Sequence, residues 1–255
     1  MLVEILGAHT TEAASAKPTS LLIDRVIAVD AGALCSSLSL EAQRDLTAVL
    51  LTHHHFDHVR DIPLLCMNVA GRATVRLYCT ADTFRTVYEH LLDGELYPDF
   101  VKWPETQPAL EHVPVTPGRP FSIGDYEVLG LPAAHGVPTV GYQVSCPDGK
   151  KVLYTGDTGP GLAPCWERVH PDLLIIEVSM PDRMEELALR ATHLTPRLLE
   201  QELAQFRSMN GYLPPTVVIH MGTAIDEEIS SEIAGVAAKL EADIAPGWEG
   251  MSIGL

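Results

Sequence analysis

The chain has 255 residues, 46% of them apolar, with 34 acidic against 17 basic side chains for a formal charge of −17. That supplies a core for one expected domain over residues 1–255, while the scarce, scattered Lys and Arg disfavour an extended nucleic acid, whose binding runs on counterion displacement. No run of about 18 apolar residues suggests a membrane span; the opening Met1–Gly7 reads as a strand rather than a secretory leader, and five cysteines without a C-x-x-C fit reduced thiols and a cytoplasmic protein.

In chain order, strands are predicted at Leu2–Leu6, Ser20–Ile23, Val26–Val29 and Ala48–Leu51, then a helix over Asp61–Ala70. A strand at Val75–Tyr78 and a helix at Ala81–Leu92 lead into a Pro-containing loop, Tyr97–Pro120, read equally as a lid or interface and as plain surface loop. Strands follow at Tyr126–Gly130, Gly141–Ser145, Lys151–Thr155, Leu173–Glu177 and Thr216–His220, with helices at Thr195–Arg207 and Glu227–Glu241. The strands are short runs rich in Val, Ile, Leu or Tyr between turn residues; the helices repeat apolar residues every three to four positions. Thr195-Pro196 reads as a hydroxyl cap followed by Pro at the first helical position. Alternating strands and helices imply sheets covered on the outside by helices.

The chemistry concentrates in Thr52-His53-His54-His55-Phe56-Asp57-His58, between the apolar strand Ala48–Leu51 and a helix. His53 and His55 project the same way from an extended strand end, His54 the other way; Asp57 and His58 lie on the turn beyond. Imidazole and carboxylate suit a borderline divalent cation, with zinc the default and manganese or iron compatible. An open catalytic site needs only three protein ligands, so four such groups in six residues argue for two metal ions. A bare His tract is often a solvated surface feature, but here Asp57 is interleaved and the tract joins strand to helix. His135, Asp157 and His220 each follow an apolar strand, where α/β folds build their sites. Singly each is an ordinary polar residue; together they complete a binuclear set.

The pattern His53-x-His55-x-Asp57-His58, then His135, Asp157 and His220, resembles the metallo-β-lactamase superfamily over essentially the whole chain. The resemblance implies a four-layer αββα sandwich. One metal would be held by His53, His55 and His135, the other by Asp57, His58 and His220, with Asp157 bridging the two. Glu177 in Ile175–Pro181, and Thr192-His193-Leu194-Thr195-Pro196, further resemble class II cyclic-nucleotide phosphodiesterases, as does the segment Thr83–Asp99. The chain departs from that family with Tyr97-Pro98 in place of the usual Trp-Pro and Phe56 in place of the common Leu. The tRNA 3′-processing endonucleases share the Glu…His pair and the Tyr-x-Gly-Asp-Thr turn, but the interval from His135 to Asp157 leaves no room for their RNA-gripping arm.

The activity so implied is hydrolysis of a small phosphodiester, such as a 3′,5′-cyclic nucleotide, to the 5′-monophosphate by a hydroxide shared between the metals. His193 would protonate the leaving alkoxide, Glu177 would fix its tautomer, and Asp57 would orient the nucleophile. Thr195 reads as a cap ahead of a phosphate donor. The alternatives are an RNA endonuclease of the tRNA-processing type, a thioester or lactone hydrolase, and a non-catalytic metal-binding protein; a homodimer is the default assembly.

Overall fold

The structure, a computed structural model, describes residues 1–255. The strands are β1 Leu2–Gly7, β2 Ser20–Ile23, β3 Ile27–Val29, β4 Ala48–Leu50, β5 Val75–Cys79, β6 Leu110–Pro114 and β7 Pro120–Ile123, followed by β8 Tyr126–Ala133, β9 Thr139–Ser145, β10 Lys151–Tyr154, β11 Leu173–Glu177, β12 Thr216–Ile219, β13 Ile244–Pro246 and β14 Ser252–Gly254. They form two seven-stranded sheets, ordered β14-β1-β2-β3-β4-β5-β6 and β13-β12-β11-β10-β9-β8-β7. In the first, the pairings from β14 to β3 are antiparallel and those from β3 to β6 parallel. The second repeats the scheme, antiparallel from β7 to β10 and parallel from β10 to β13.

The helices are α1 Leu34–Ser37, α2 Leu40–Asp45, α3 Phe56–Val59, α4 Ile62–Val69 and α5 Ala81–Leu91, then α6 Ala163–Trp166, α7 Glu185–Ala191, α8 Pro196–Asn210 and α9 Asp226–Leu240. Period-two alternation explains how the apolar strands hold two faces at once. Ala48 and Leu50 of β4, Val152 and Tyr154 of β10, and Leu173 and Ile175 of β11 fill the core between the sheets. Val49 and its neighbour Leu51 face α4 and α5 on one outer side; Leu153, Leu174 and Ile176 face α6, α8 and α9 on the other. The result is the four-layer αββα sandwich. No helix is long and apolar enough to cross a membrane, and all five cysteines are free thiols.

One expectation is corrected. The Tyr97–Pro120 segment is not a continuous loop: it contains β6 and delivers Pro120 as the first residue of β7. Both are edge strands, where a proline without an N–H is tolerated. The unpredicted β13 and β14 are the other two edges, three residues each. Thr195 caps α8, its hydroxyl accepting from the Leu198 N–H at 3.4 Å, and it is fully buried, which leaves the phosphate-donor reading without an exposed atom.

The loop after β10 is tied to the second sheet's outer layer by Glu202 of α8. Its carboxylate, 4% exposed, accepts from the backbone N–H of Gly161 (2.7 Å) and Leu162 (3.2 Å) and from the indole of Trp166 (3.1 Å). Glu202→Ala strands two buried donors, the Leu162 N–H and the Trp166 indole, and is expected to cost about 2 kcal/mol. For a chain of this size that is a fall of roughly 4–8 °C in the thermal unfolding midpoint, checked by calorimetry.

Candidate metal centre

Five strands end at one rim of the sandwich and pass directly into the chemistry-bearing residues. β4 leads to His53 through Leu51 and Thr52, β8 to His135, β10 to Asp157, β11 ends at Glu177, and β12 is followed by His220. His55 is the N-cap of the one-turn helix α3, which carries Asp57 and His58. The turn to Asp157 relies on Gly156 at φ +65°, where a side chain would sit 3.1 Å from the Thr52 Cβ. Three non-glycine residues around the centre, Asp30, Thr192 and His220, have φ near +60° (58°, 58° and 62°). Such left-handed residues are held only where surroundings over-determine them, and they gather at functional sites.

The structure brings together all seven donors read from the sequence. His53, His55, His135 and Asp157 offer ligand atoms within 4.8 Å of one another, and Asp57, His58 and His220 do the same. Asp157, 1% exposed, stands between the two sets: its Oδ2 is 3.6 Å from His53 Nε2, 3.9 Å from His135 Nε2 and 3.3 Å from His220 Nε2, and its Oδ1 is 3.4 Å from His58 Nε2. Asp57 Oδ2 reaches His220 Nε2 at 3.1 Å and His58 Nε2 at 3.5 Å. His54 belongs to neither set, in keeping with its alternate direction along the strand.

Protonation favours a cation at His53, His55, His135, Asp57 and Asp157, as far as burial and neighbouring charge set it. Burial, reinforced by the neighbouring His58, holds His53 well below the usual imidazole range. Burial likewise lowers His55 and His135, so these three present the neutral rings that metals require. Burial opposes ionisation of Asp157, yet His220 and His58 outweigh it and hold the carboxyl well below its ordinary range. Asp57 behaves alike: burial pushes up, the His220 and His58 contacts pull down harder. His58 is lifted well above its usual value, because Asp157 and Asp30 on either side override the cost of burying its charge. Three of the converging atoms, His53 Nε2, His58 Nε2 and Asp157 Oδ1, are buried without a hydrogen-bond partner. Buried polar atoms are normally paired; a divalent cation in each set satisfies all three, so the residues fit the metals.

Residues not singled out in the sequence hold these donors in place. Asp30 Oδ2 meets His58 Nδ1 at 2.7 Å and accepts from the Thr52 hydroxyl at 2.8 Å, and Thr52 Oγ1 lies 3.0 Å from His53 Nδ1. The Thr192 carbonyl accepts from His135 Nδ1 at 3.2 Å, and Ser179 Oγ lies 2.8 Å from His220 Nδ1. In each case the Nδ1 contact leaves Nε2 for the centre. Asp30 is signalled only by its place at the end of β3, and Ser179 by its position two residues after Glu177.

His193 shares the cavity, of about 360 Å³, with His55, Asp57, Asp157 and His220. Its Nδ1 is 2.6 Å from Glu177 Oε1, whose carboxylate is fully buried and also accepts from Ser179 and the Thr158 N–H. Burial works against charge on His193, but Glu177 outweighs it and raises the imidazolium to about 9. His193 also lies within 4.8 Å of Asp157 and His220 by donor atoms; its Glu177-held Nδ1 leaves Nε2 for a substrate. His9 is taken by Glu249 at 2.6 Å, and His112 stacks on Phe84.

Known proteins resemble the chain in sequence or in fold. A curated ribonuclease Z from Methanopyrus kandleri is 36% identical over 103 residues, which take in 40% of this chain and 33% of that protein, so the match spans about a third of the relative's length. The solved structure of unliganded yeast PDE1 superposes with a TM-score of 0.86 at 16% identity, covering 100% of this chain and 99% of that one. The metallo-beta-lactamase fold protein YhfI from Bacillus subtilis superposes with a TM-score of 0.76 at 18% identity over 99% and 98% of the two chains. The profile of the Beta-lactamase superfamily domain matches residues 19–221, and with its αββα sandwich and His/Asp centre the chain belongs to the metallo-β-lactamase superfamily of metal-dependent hydrolases.

Proposed function

We propose that the chain is a two-metal phosphodiesterase hydrolysing a 3′,5′-cyclic nucleotide to the 5′-monophosphate in a reducing cytoplasm. The observation that carries the reading is the Glu177–His193 pair, 2.6 Å apart, facing the same cavity as two donor sets that meet at Asp157. Zinc is the metal that suits this donor chemistry first. His53, His55 and His135 would hold one such ion and Asp57, His58 and His220 the other, with Asp157 near both sets, and the ions would supply ionised water and neutralise charge on phosphoryl oxygens.

The chain's own residues supply the remainder. Phosphodiester cleavage expels an alkoxide that needs a proton near neutral pH, and His193 Nε2 donates it. Glu177 accepts from Nδ1–H, which fixes the tautomer and keeps the ring charged until it is used. Ser179 donates to Glu177 Oε2 at 3.0 Å while contacting His220 Nδ1, so the proton donor and one metal ligand share a support. Thioester hydrolysis, which expels a thiolate, has no comparable need for this pair.

The match to ribonuclease Z favours a second reading, an endonuclease acting on tRNA 3′ ends. Against it stand the charge of −17 and the short connection between His135 and Asp157, filled by the β9–β10 pair alone. Assaying cyclic AMP and cyclic GMP beside a tRNA precursor separates them: turnover of the precursor alone overturns the cyclic-nucleotide reading.

Four outcomes are expected. Asp157→Ala loses both metals and activity, measured by elemental analysis; native stoichiometry in the variant excludes the bridging role. His193→Ala retains metal but loses roughly 10²–10⁴-fold in kcat on an alkoxide leaving group, with a much smaller loss on a nitrophenyl ester. The rate falls as pH rises and His193 loses the proton that Glu177 helps it hold above the ordinary imidazole range. Glu177→Gln removes the charge that outweighs burial and shifts that fall to lower pH in a pH–rate profile.

A further inference from the structure

A second cavity, about 420 Å³, adjoins the candidate centre and shares Thr10 and Asp57 with it. Its walls include Thr11, Glu12, Phe56 and Arg60. Phe56 is 63% exposed, although His58 and Val59 of the same short helix are buried. A lone exposed Phe is ordinary; one that forms the wall of a cavity opening onto a metal-ligating carboxylate is placed to meet what enters. The backbone beneath it is pinned. Ala31 N–H donates to the His58 carbonyl at 2.7 Å, and Gly32 passes so close that a Cβ there would lie 2.1 Å from the Asp57 carbonyl oxygen. Arg60, at the end of the same helix, is held by Asp61 at 3.0 Å and by Glu12. The cavity thus combines an exposed aromatic ring on a pinned backbone, a planar cation and a carboxylate acceptor.

We propose that this pocket receives the nucleobase of a phosphodiester whose phosphate lies at the metal centre, with Phe56 stacking on the base and the Arg60–Glu12 pair meeting its polar edge. The inference rests on the phosphodiesterase reading and extends it from the reacting group to the rest of the substrate. Every base has a π face, so stacking on an aromatic ring is tolerant of base identity. Base edges carry ring acceptors for a guanidinium and exocyclic amino donors for a carboxylate. The volume lies within the range of small-molecule pockets, roughly 300–1,000 Å³. Phe56 is therefore a specificity-determining residue that adds affinity for the base without taking part in the chemistry.

Calorimetric titration of the metal-loaded chain with adenosine 5′-monophosphate, guanosine 5′-monophosphate and ribose 5-phosphate tests this. Stacking predicts that the nucleotides bind roughly five- to a hundredfold more tightly than the sugar phosphate. Phe56→Ala and Phe56→Leu are expected to bring that ratio close to one, and Phe56→Trp to keep it. Equal binding of nucleotide and ribose 5-phosphate by the unaltered chain, or a preference that survives both Phe56→Ala and Phe56→Leu, overturns the proposal. Binding is read without turnover, so the two readings fail separately. A Phe56-dependent preference in a chain that cleaves no phosphodiester sinks the reaction and keeps the pocket; phosphodiester turnover with no such preference does the reverse.

Discussion

A carboxylate sealed from water has to be answered by positive charge, and Asp157 is such a group. It is 1% exposed, ionised despite its burial, and has imidazole nitrogens of His53, His58, His135 and His220 within 3.9 Å. An unpaired buried charge costs several kcal/mol or more by order of magnitude. The protonated His58, between Asp157 and Asp30, answers it in part when no cation is bound. A cation answers it in full and frees the ring to act as a neutral ligand. The tight turn at Gly156, the left-handed Asp30 and His220, and the convergence of strand ends all serve to create and then compensate this one charge.

The supports form two chains of hydrogen bonds. One runs from His58 through Asp30 and Thr52 to His53, and so joins the two donor sets beneath the centre. The other runs from His220 through Ser179 and Glu177 to His193, and so joins the centre to the proposed proton donor. Each fixes which ring nitrogen faces the cavity, a choice imidazole does not make alone. Satisfied polar networks of this kind hold a single geometry more firmly than pairwise contacts do.

Much of this was legible in the chain. His53, His55, Asp57 and His58 are read together because strand and helix geometry converts short spacings into shared directions. His135, Asp157 and His220 are readable because each closes a strong apolar strand. Asp30 and Ser179 carry no spacing of their own; their roles exist only once β3 lies beside β4, and β11 beside β12. The strands that escaped prediction, β6, β7, β13 and β14, are the four sheet edges. Edge strands bury less and admit proline, as Pro114, Pro120 and Pro246 do here, which removes the continuous apolar run that marks a central strand.

Each donor set draws on both sheets: His53 and His55 after β4 stand with His135 after β8, and Asp57 and His58 stand with His220 after β12. A cation in either set is therefore also a rivet across the sandwich. Free energy gained on binding it is shared with the union of the two halves. Stripping such ions would loosen the seam at this rim, leaving the apolar core between the sheets to hold the two halves.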